Sequence, residues 1–209
     1  MKKICIITNS KLGSFYKACK FLNPKKYSFL IISTKKFSHL KHTNMKHIFI
    51  SDKNIISFNK KVIEICKING VKKILLFYTK KISKSIFNKF ETINIHNSLL
   101  PNYKGLNAIE KTLRDKNKIF CSSAHLVNQK FDSGKILYQI ATPITFLSKK
   151  YLNSIAYYQR VILILTILEN TKKNLKATLI SKYTILSPGI NKVFLKKIKE
   201  IKKVLWKKK

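Results

Sequence analysis

The sequence predicts an α/β protein: a Rossmann-like, three-layer αβα arrangement around a mostly parallel, twisted sheet. Three observations predict it. Short apolar runs of strand length alternate with stretches of helical period along most of the chain. The helical stretches are long enough to serve as right-handed crossovers between parallel strands, which places helices on both sheet faces. Finally, 209 residues that are 45% hydrophobic can bury one large core without disulfide or metal staples.

Taken in order, Lys3 to Thr8 reads as a buried strand, Asn9 to Ser14 as a loop, and Phe15 to Leu22 as a helix that Asn23-Pro24 ends. Apolar runs at Tyr27–Ile32 and His47–Ile50 predict two further strands. Asn54 or Ser57 then caps a helix running to Asn69-Gly70, where glycine suits the position just past a helix end. Lys73–Phe77 predicts a strand, Ser83–Phe90 a short helix and Thr92–Ser98 another strand. Beyond them come a helix at Asn107–Lys116, strands at Ser122–Val127 and Ile136–Ile144, and a long helix at Leu152–Lys173. That helix carries an apolar stripe through Ile155, Tyr158, Ile162, Leu165 and Leu168. Thr178–Leu186 is a further strand candidate. Residues 1–190 therefore read as one domain, and residues 191–209 as a lysine-rich tail with the spacing of a basic amphipathic helix.

The net charge of +36 ordinarily points to nucleic acid or an anionic membrane. The type of base argues otherwise, because only Arg114 and Arg160 among the 44 basic residues are arginine, and readers of bases and phosphates favour the bidentate guanidinium. Lysine spread over the whole length beside abundant Ile and Asn is the signature of compositional drift, so no specific nucleic-acid partner is predicted. Cys5, Cys19, Cys66 and Cys121 form no CxxC pair, which suggests a reduced, cytoplasmic chain. His39, His42 and His47 lack accompanying cysteines or acids other than Asp52, and no metal is predicted. The first apolar run stops at Asn9, too short for a signal peptide, and Val161–Leu168 falls far below the roughly 20 residues of a membrane span.

Residues 93–105 carry the most information. Asn94 and His96 lie two apart on a short apolar strand and so share a face, from which an amide and an imidazole can hydrogen-bond one developing oxyanion. Pro101 removes a backbone donor and Gly105 permits the positive φ of a tight return. Asp132, one of only eight acids, sits in Phe-Asp-Ser-Gly between two strand candidates. Such an Asp commonly serves its own turn, but beside Asn94 and His96 it becomes a candidate third member that orients and charges an imidazole.

These segments resemble the signature blocks of the folate-dependent formyltransferases. The pattern Asn-x-His-x-Ser-Leu-Leu-Pro is met by Asn94, His96, Ser98, Leu99, Leu100 and Pro101, followed by Tyr103 and Gly105; the pattern His-x-Val, then Asp-x-Gly, is met by His125, Val127, Asp132 and Gly134. Within the family the chain is most similar to the branch whose acceptor is phosphoribosylglycinamide. The resemblance implies the formyltransferase fold, N10-formyltetrahydrofolate as cosubstrate, no metal, and formyl transfer to a primary amine in purine biosynthesis. It also implies a monomer or homodimer acting on small molecules. Asn94, His96 and Asp132 would do the chemistry, with Ser98, Gly105, His125 and Gly134 in support. Tyr78, Lys80, Lys81, Ile82, Asn128 and Phe131 would meet the folate, and Lys11, Gly13, Ser14, Pro101 and Gln159 the acceptor. Phe15 stands where relatives have Asn in the phosphate loop, and Gln159 where they have Glu. Nucleotide-linked amino sugars and methionyl-tRNA are the alternative acceptors, and a degenerate, non-catalytic relative that binds polyanions non-specifically is the alternative of another class.

Overall fold

The computed structural model describes residues 1–35, 45–116, 119–144 and 148–169; the strand candidate at 178–186, the lysine tail, His39 and His42 lie outside them. Seven strands form one sheet: β1 (Lys2–Thr8), β2 (Tyr27–Ser33), β3 (Met45–Phe49), β4 (Lys73–Phe77), β5 (Glu91–His96), β6 (Ile119–Leu126) and β7 (Ile136–Pro143). Their order is β3-β2-β1-β4-β5-β6-β7. The pairs β1–β2, β1–β4, β2–β3 and β4–β5 are parallel. Between them run α1 (Gly13–Cys19), α2 (Ile55–Ile68), α3 (Lys84–Phe87), α4 (Ala108–Arg114) and α5 (Lys149–Glu169). This is the predicted α/β class, with strand order reversing between β1 and β4, where such sheets hold ligands beyond their strands' carboxyl ends.

The described chain divides into two compact units interleaved in sequence. The first comprises Met1–Leu12, Leu22–Ile95 and Ala124–Leu137; the second comprises Gly13–Phe21, His96–Ser123 and the described residues from Tyr138 on. In the first, Cys5, Ile7, Leu30, Ile32, Ile74 and Leu76 project from alternate strand positions onto Phe58, Val62 and Cys66 of α2. The i, i+4 spacing of those three helix residues makes one stripe, and each such side chain fully buried contributes about 1.5–3 kcal/mol. Asn54 caps α2 by accepting from the Ser57 N–H at 3.0 Å. At the other end Gly70 adopts φ +64°, and the Gly70 and Val71 N–H groups bond the Lys67 and Cys66 carbonyls at 2.9 Å, a Schellman motif. Buried Asn59 bonds the Ile55 carbonyl and accepts from the Ser83 N–H at 3.3 Å, which ties α2 to the cap of α3.

In the second unit Phe120 packs against Leu152, Ile155 and Ala156 of α5 and Ile109 of α4. Helix α5 starts at Lys149, three residues before the expected Leu152, because the Ser148 hydroxyl caps the Tyr151 N–H at 3.2 Å. It is long and apolar enough to pass for a membrane span by length and composition, yet it is mostly buried within the protein, as a core helix is. Helix α1 occupies Gly13–Cys19 rather than Phe15–Leu22: its first turn takes in two residues expected in the loop, and the chain turns out after the Phe21 N–H bonds Ala18. Strand β5 stops at His96, two residues short of the expected Ser98.

Candidate functional site

Within the first unit, strand alternation on β5 buries Ile93 and Ile95 and turns half-buried Asn94 out of the core. The Asn94 Nδ2 donates to Asp132 Oδ1 at 3.2 Å and lies 3.3 Å from His125 Nε2. His125 Nε2 is in turn 3.3 Å from Asp132 Oδ1, and the two side chains are only 3% and 8% exposed. A carbonyl can only accept, so the His125 Nδ1–H donates to the Leu126 C=O at 2.8 Å. This leaves Nε2 to accept the Asn94 amide when the ring is neutral, or to donate to Asp132 when it is charged. Amide, imidazole and carboxylate thus form one proton-competent cluster. His125, expected only in a supporting place, is the imidazole seen against the Asp132 carboxylate.

The turn that presents Asp132 is built for it. Asp132 itself has φ +46°, which Asp tolerates better than most side chains. Asn128 Oδ1 accepts from the Lys130 N–H at 3.0 Å and the Ser133 hydroxyl at 2.9 Å. Gly134 lies so close to the strand before the turn that a Cβ there would stand 1.7 Å from the Leu126 carbonyl oxygen. Asp132, His125 and Asn94 line one cleft. All six residues expected to meet the folate, Tyr78, Lys80, Lys81, Ile82, Asn128 and Phe131, line it too. Phe131 is 56% exposed at its mouth, and the Lys81 ammonium lies 6.0 Å from its ring centroid. The Tyr78 ring stacks on Phe58 with centroids 5.6 Å apart, while its hydroxyl donates to Asp52 Oδ2 at 2.7 Å. Burial, then the Asp52 hydrogen bond and charge, push the Tyr78 hydroxyl well above its ordinary range, so it remains a neutral donor. Leu76, Val127, Gln129 and Lys130 complete the lining. Sequence reasoning missed them, although alternation along β4 flags Leu76 and adjacency to Phe131 flags Lys130.

In the second unit, the His96 Nε2–H and the Ser98 hydroxyl both donate to the Tyr103 carbonyl, the former at 2.8 Å, which fixes the His96 tautomer. The Ser123 hydroxyl donates to Ser98 C=O at 2.7 Å and accepts from Gln139 Nε2 at 2.9 Å and the Leu100 N–H at 3.3 Å. Gln139 also bonds the Leu100 carbonyl. Exposed Pro101 follows a cis peptide bond, and Gly105 closes the loop at φ +78°. Ser123 and Gln139 were not foreseen, since neither lies in a motif. Gly13 accepts from the Tyr157 hydroxyl at 3.2 Å and Ser14 is buried, whereas Lys11, in the first unit, is exposed. Gln159 is 1% exposed and spends its amide N–H groups on Phe120 C=O and Thr142 Oγ1, at 3.2 and 2.9 Å. Among the described residues no group of three His, Cys, Asp or Glu side chains is arranged to hold a metal ion.

Residues 4–161 match the formyl transferase family. The chain belongs to that family. Its fold is similar to solved phosphoribosylglycinamide formyltransferases from Bacillus halodurans (TM-score 0.72, 20% identity, covering 82% of this chain and 96% of that one) and Campylobacter jejuni (TM-score 0.71, 22% identity, covering 81% and 97%). A formyltetrahydrofolate deformylase from Pseudomonas syringae shares the fold at TM-score 0.67 and 14% identity, covering 81% of this chain and 62% of that one. In sequence, a methionyl-tRNA formyltransferase from Helicobacter pylori is 34% identical over 80 residues, 38% of this chain and 25% of that protein. A phosphoribosylglycinamide formyltransferase from Haemophilus influenzae is 33% identical over 73 residues, 34% of each. The matched stretch thus spans about a quarter to a third of those curated relatives. Formyl transferase membership agrees with the resemblance read from Asn94–Gly105 and His125–Gly134.

Proposed function

We propose that this chain transfers a formyl group from N10-formyltetrahydrofolate to a primary amine, with 5-phosphoribosylglycinamide as acceptor and purine biosynthesis as the process, in the cytoplasm. The observation that carries the reading is the Asn94–His125–Asp132 cluster in the cleft lined by Tyr78, Ile82, Asn128 and Phe131. A cleft with an aromatic and apolar wall and a few converging polar groups has the lining chemistry a pterin would need. Lys81 and Lys130 suit the carboxylates of a folate tail. When bound, the folate supplies an activated formyl carbon. The Asn94 amide would donate to the formyl oxygen as it gains negative charge, joined by a protonated His96 through Nδ1, its Nε2–H being held by the Tyr103 carbonyl. Asp132, coupled to His125, would hold a proton released by the amine. Lys11, Gly13, Ser14 and Pro101 are proposed to meet the acceptor. Gln159, sealed in the packing of α5 on β6 and β7, would act on it only by supporting that scaffold. Residues 1–190 are proposed to be a single catalytic domain.

Formylation of methionyl-tRNA is the second reading, favoured by the Helicobacter pylori stretch. Release of tetrahydrofolate, followed with phosphoribosylglycinamide, methionyl-tRNA and a nucleotide-linked amino sugar offered in parallel, tests both. Turnover with the first alone supports the proposal; turnover with another acceptor, or none with any, contradicts it.

A further inference from the structure

Asp52 lies outside every motif and does not line the cleft, yet it is the carboxylate on which two lining residues converge. It stands in the turn between β3 and α2, its side chain 15% exposed, with the Tyr78 hydroxyl at 2.7 Å and the Lys80 ammonium at 3.0 Å, both on Oδ2. Burial alone would raise the Asp52 carboxyl, but the hydrogen bonds from Tyr78 and Lys80 and the Lys80 charge outweigh it and hold the group below the ordinary carboxylate range. In a chain with 44 basic and eight acidic residues, a carboxylate so placed is an uncommon resource. Tyr78 is therefore pinned twice, by Phe58 on its ring and by Asp52 on its hydroxyl. Asn59 anchors the far end of the same stretch through the Ser83 N–H.

We propose that Asp52 is a positioning residue for the folate cleft: by gripping Tyr78 and Lys80 it presets the wall at residues 78–83 before the donor arrives and commits Lys80 to that wall. Lys81 and Lys130 are then the cations that meet the donor's carboxylates. The inference rests on the folate reading of the cleft given above. A wall organised in advance spares the ligand the cost of ordering it, so the benefit appears in donor affinity rather than in the chemical step.

Tetrahydrofolate binding by fluorescence titration, with steady-state kinetics beside it, tests this on Asp52→Asn, Asp52→Glu, Tyr78→Phe and the Asp52→Asn/Tyr78→Phe double variant. Tyr78→Phe keeps the ring on Phe58 and removes only the hydroxyl, so it reports even if Asp52→Asn folds poorly. The expected result is affinity about fivefold or more weaker in Asp52→Asn, about one ordinary hydrogen bond's worth, with a raised donor KM and kcat within about twofold. Asp52→Glu should recover part of the loss, and the double variant should be no weaker than the weaker single one, because both changes break one contact. Unchanged affinity in both single variants, or strictly additive losses, overturns the assignment while leaving the folate reading intact. A wild-type protein that does not bind tetrahydrofolate overturns both.

Discussion

Replacing Gly134 by Ala is the most direct test of how the turn presents Asp132. The added Cβ would sit 1.7 Å from the Leu126 oxygen, 2.7 Å from the Leu126 carbonyl carbon and 3.6 Å from His125 Nδ1. The first two neighbours are backbone, so no side chain can swing aside. Reaching an ordinary contact requires the turn to move by roughly 1.5–2 Å. That motion pulls on the Leu126 N–H to Lys135 C=O bond, now 2.9 Å, and on the 3.2 and 3.3 Å contacts of Asp132 with Asn94 and His125. Overpacking costs about 1–3 kcal/mol and the strained backbone bond about 1 more. At about 2–4 °C per kcal/mol for a chain of this size, the melting temperature should fall by roughly 5–15 °C. If Asp132 acts as proposed, its displacement by an ångström or more should cost about a hundredfold in rate. Thermal melting and tetrahydrofolate release on the same preparation read both effects. An Ala variant with wild-type melting and turnover would refute the close approach and the role of the turn together.

Other outcomes follow from single contacts. Ser123→Ala leaves the Leu100 N–H and one Gln139 donor without their acceptor, and should cost about 1–3 kcal/mol by chemical denaturation, with faster proteolysis at residues 98–105. Gln159→Glu should lower the melting temperature because a carboxylate at 1% exposure is desolvated, and should lose less at pH 5 than at pH 8, where more of it must ionise. Burial pushes the thiols of Cys19 and Cys121 up to about 12 and about 11, so at pH 8 the native protein should resist alkylation that proceeds readily after denaturation. Because the folded Asp52 carboxyl is held below its ordinary value, its contribution should be fully present above pH 4 and fade as pH falls through the lowered value; Asp52→Asn should therefore flatten the acid limb of the stability curve.

The elements were legible wherever local chemistry decided them. Asn54 and Gly70 bracket α2 as their side-chain oxygen and missing Cβ require, and the run Lys73–Phe77 is β4. Boundaries were less legible: the Ser148 hydroxyl starts α5 three residues early although the cap is local, and α1 takes in residues that read as loop. The motif residues Asn94, His125 and Asp132 were legible because their types and spacing carry chemistry. Their mutual geometry was not, since the pairing of Asp132 with His125 depends on how β6 is laid beside β5. Asp52, Ser123 and Gln139 were invisible for the same reason: each acts on residues at least 16 positions away, and nothing nearby in sequence marks it. Gln159 read as an acceptor contact from its motif position; its amide N–H groups bond Phe120 of β6 and Thr142 of β7.

The Asn94–His125–Asp132 cluster is proposed to be where the formyl group moves. Tetrahydrofolate release by wild type and Asp132→Asn, measured side by side with phosphoribosylglycinamide as acceptor, tests it most directly. The wild type should turn over and the isosteric variant should lose about a hundredfold or more, with its melting temperature nearly unchanged. Equal rates from the two proteins would contradict it.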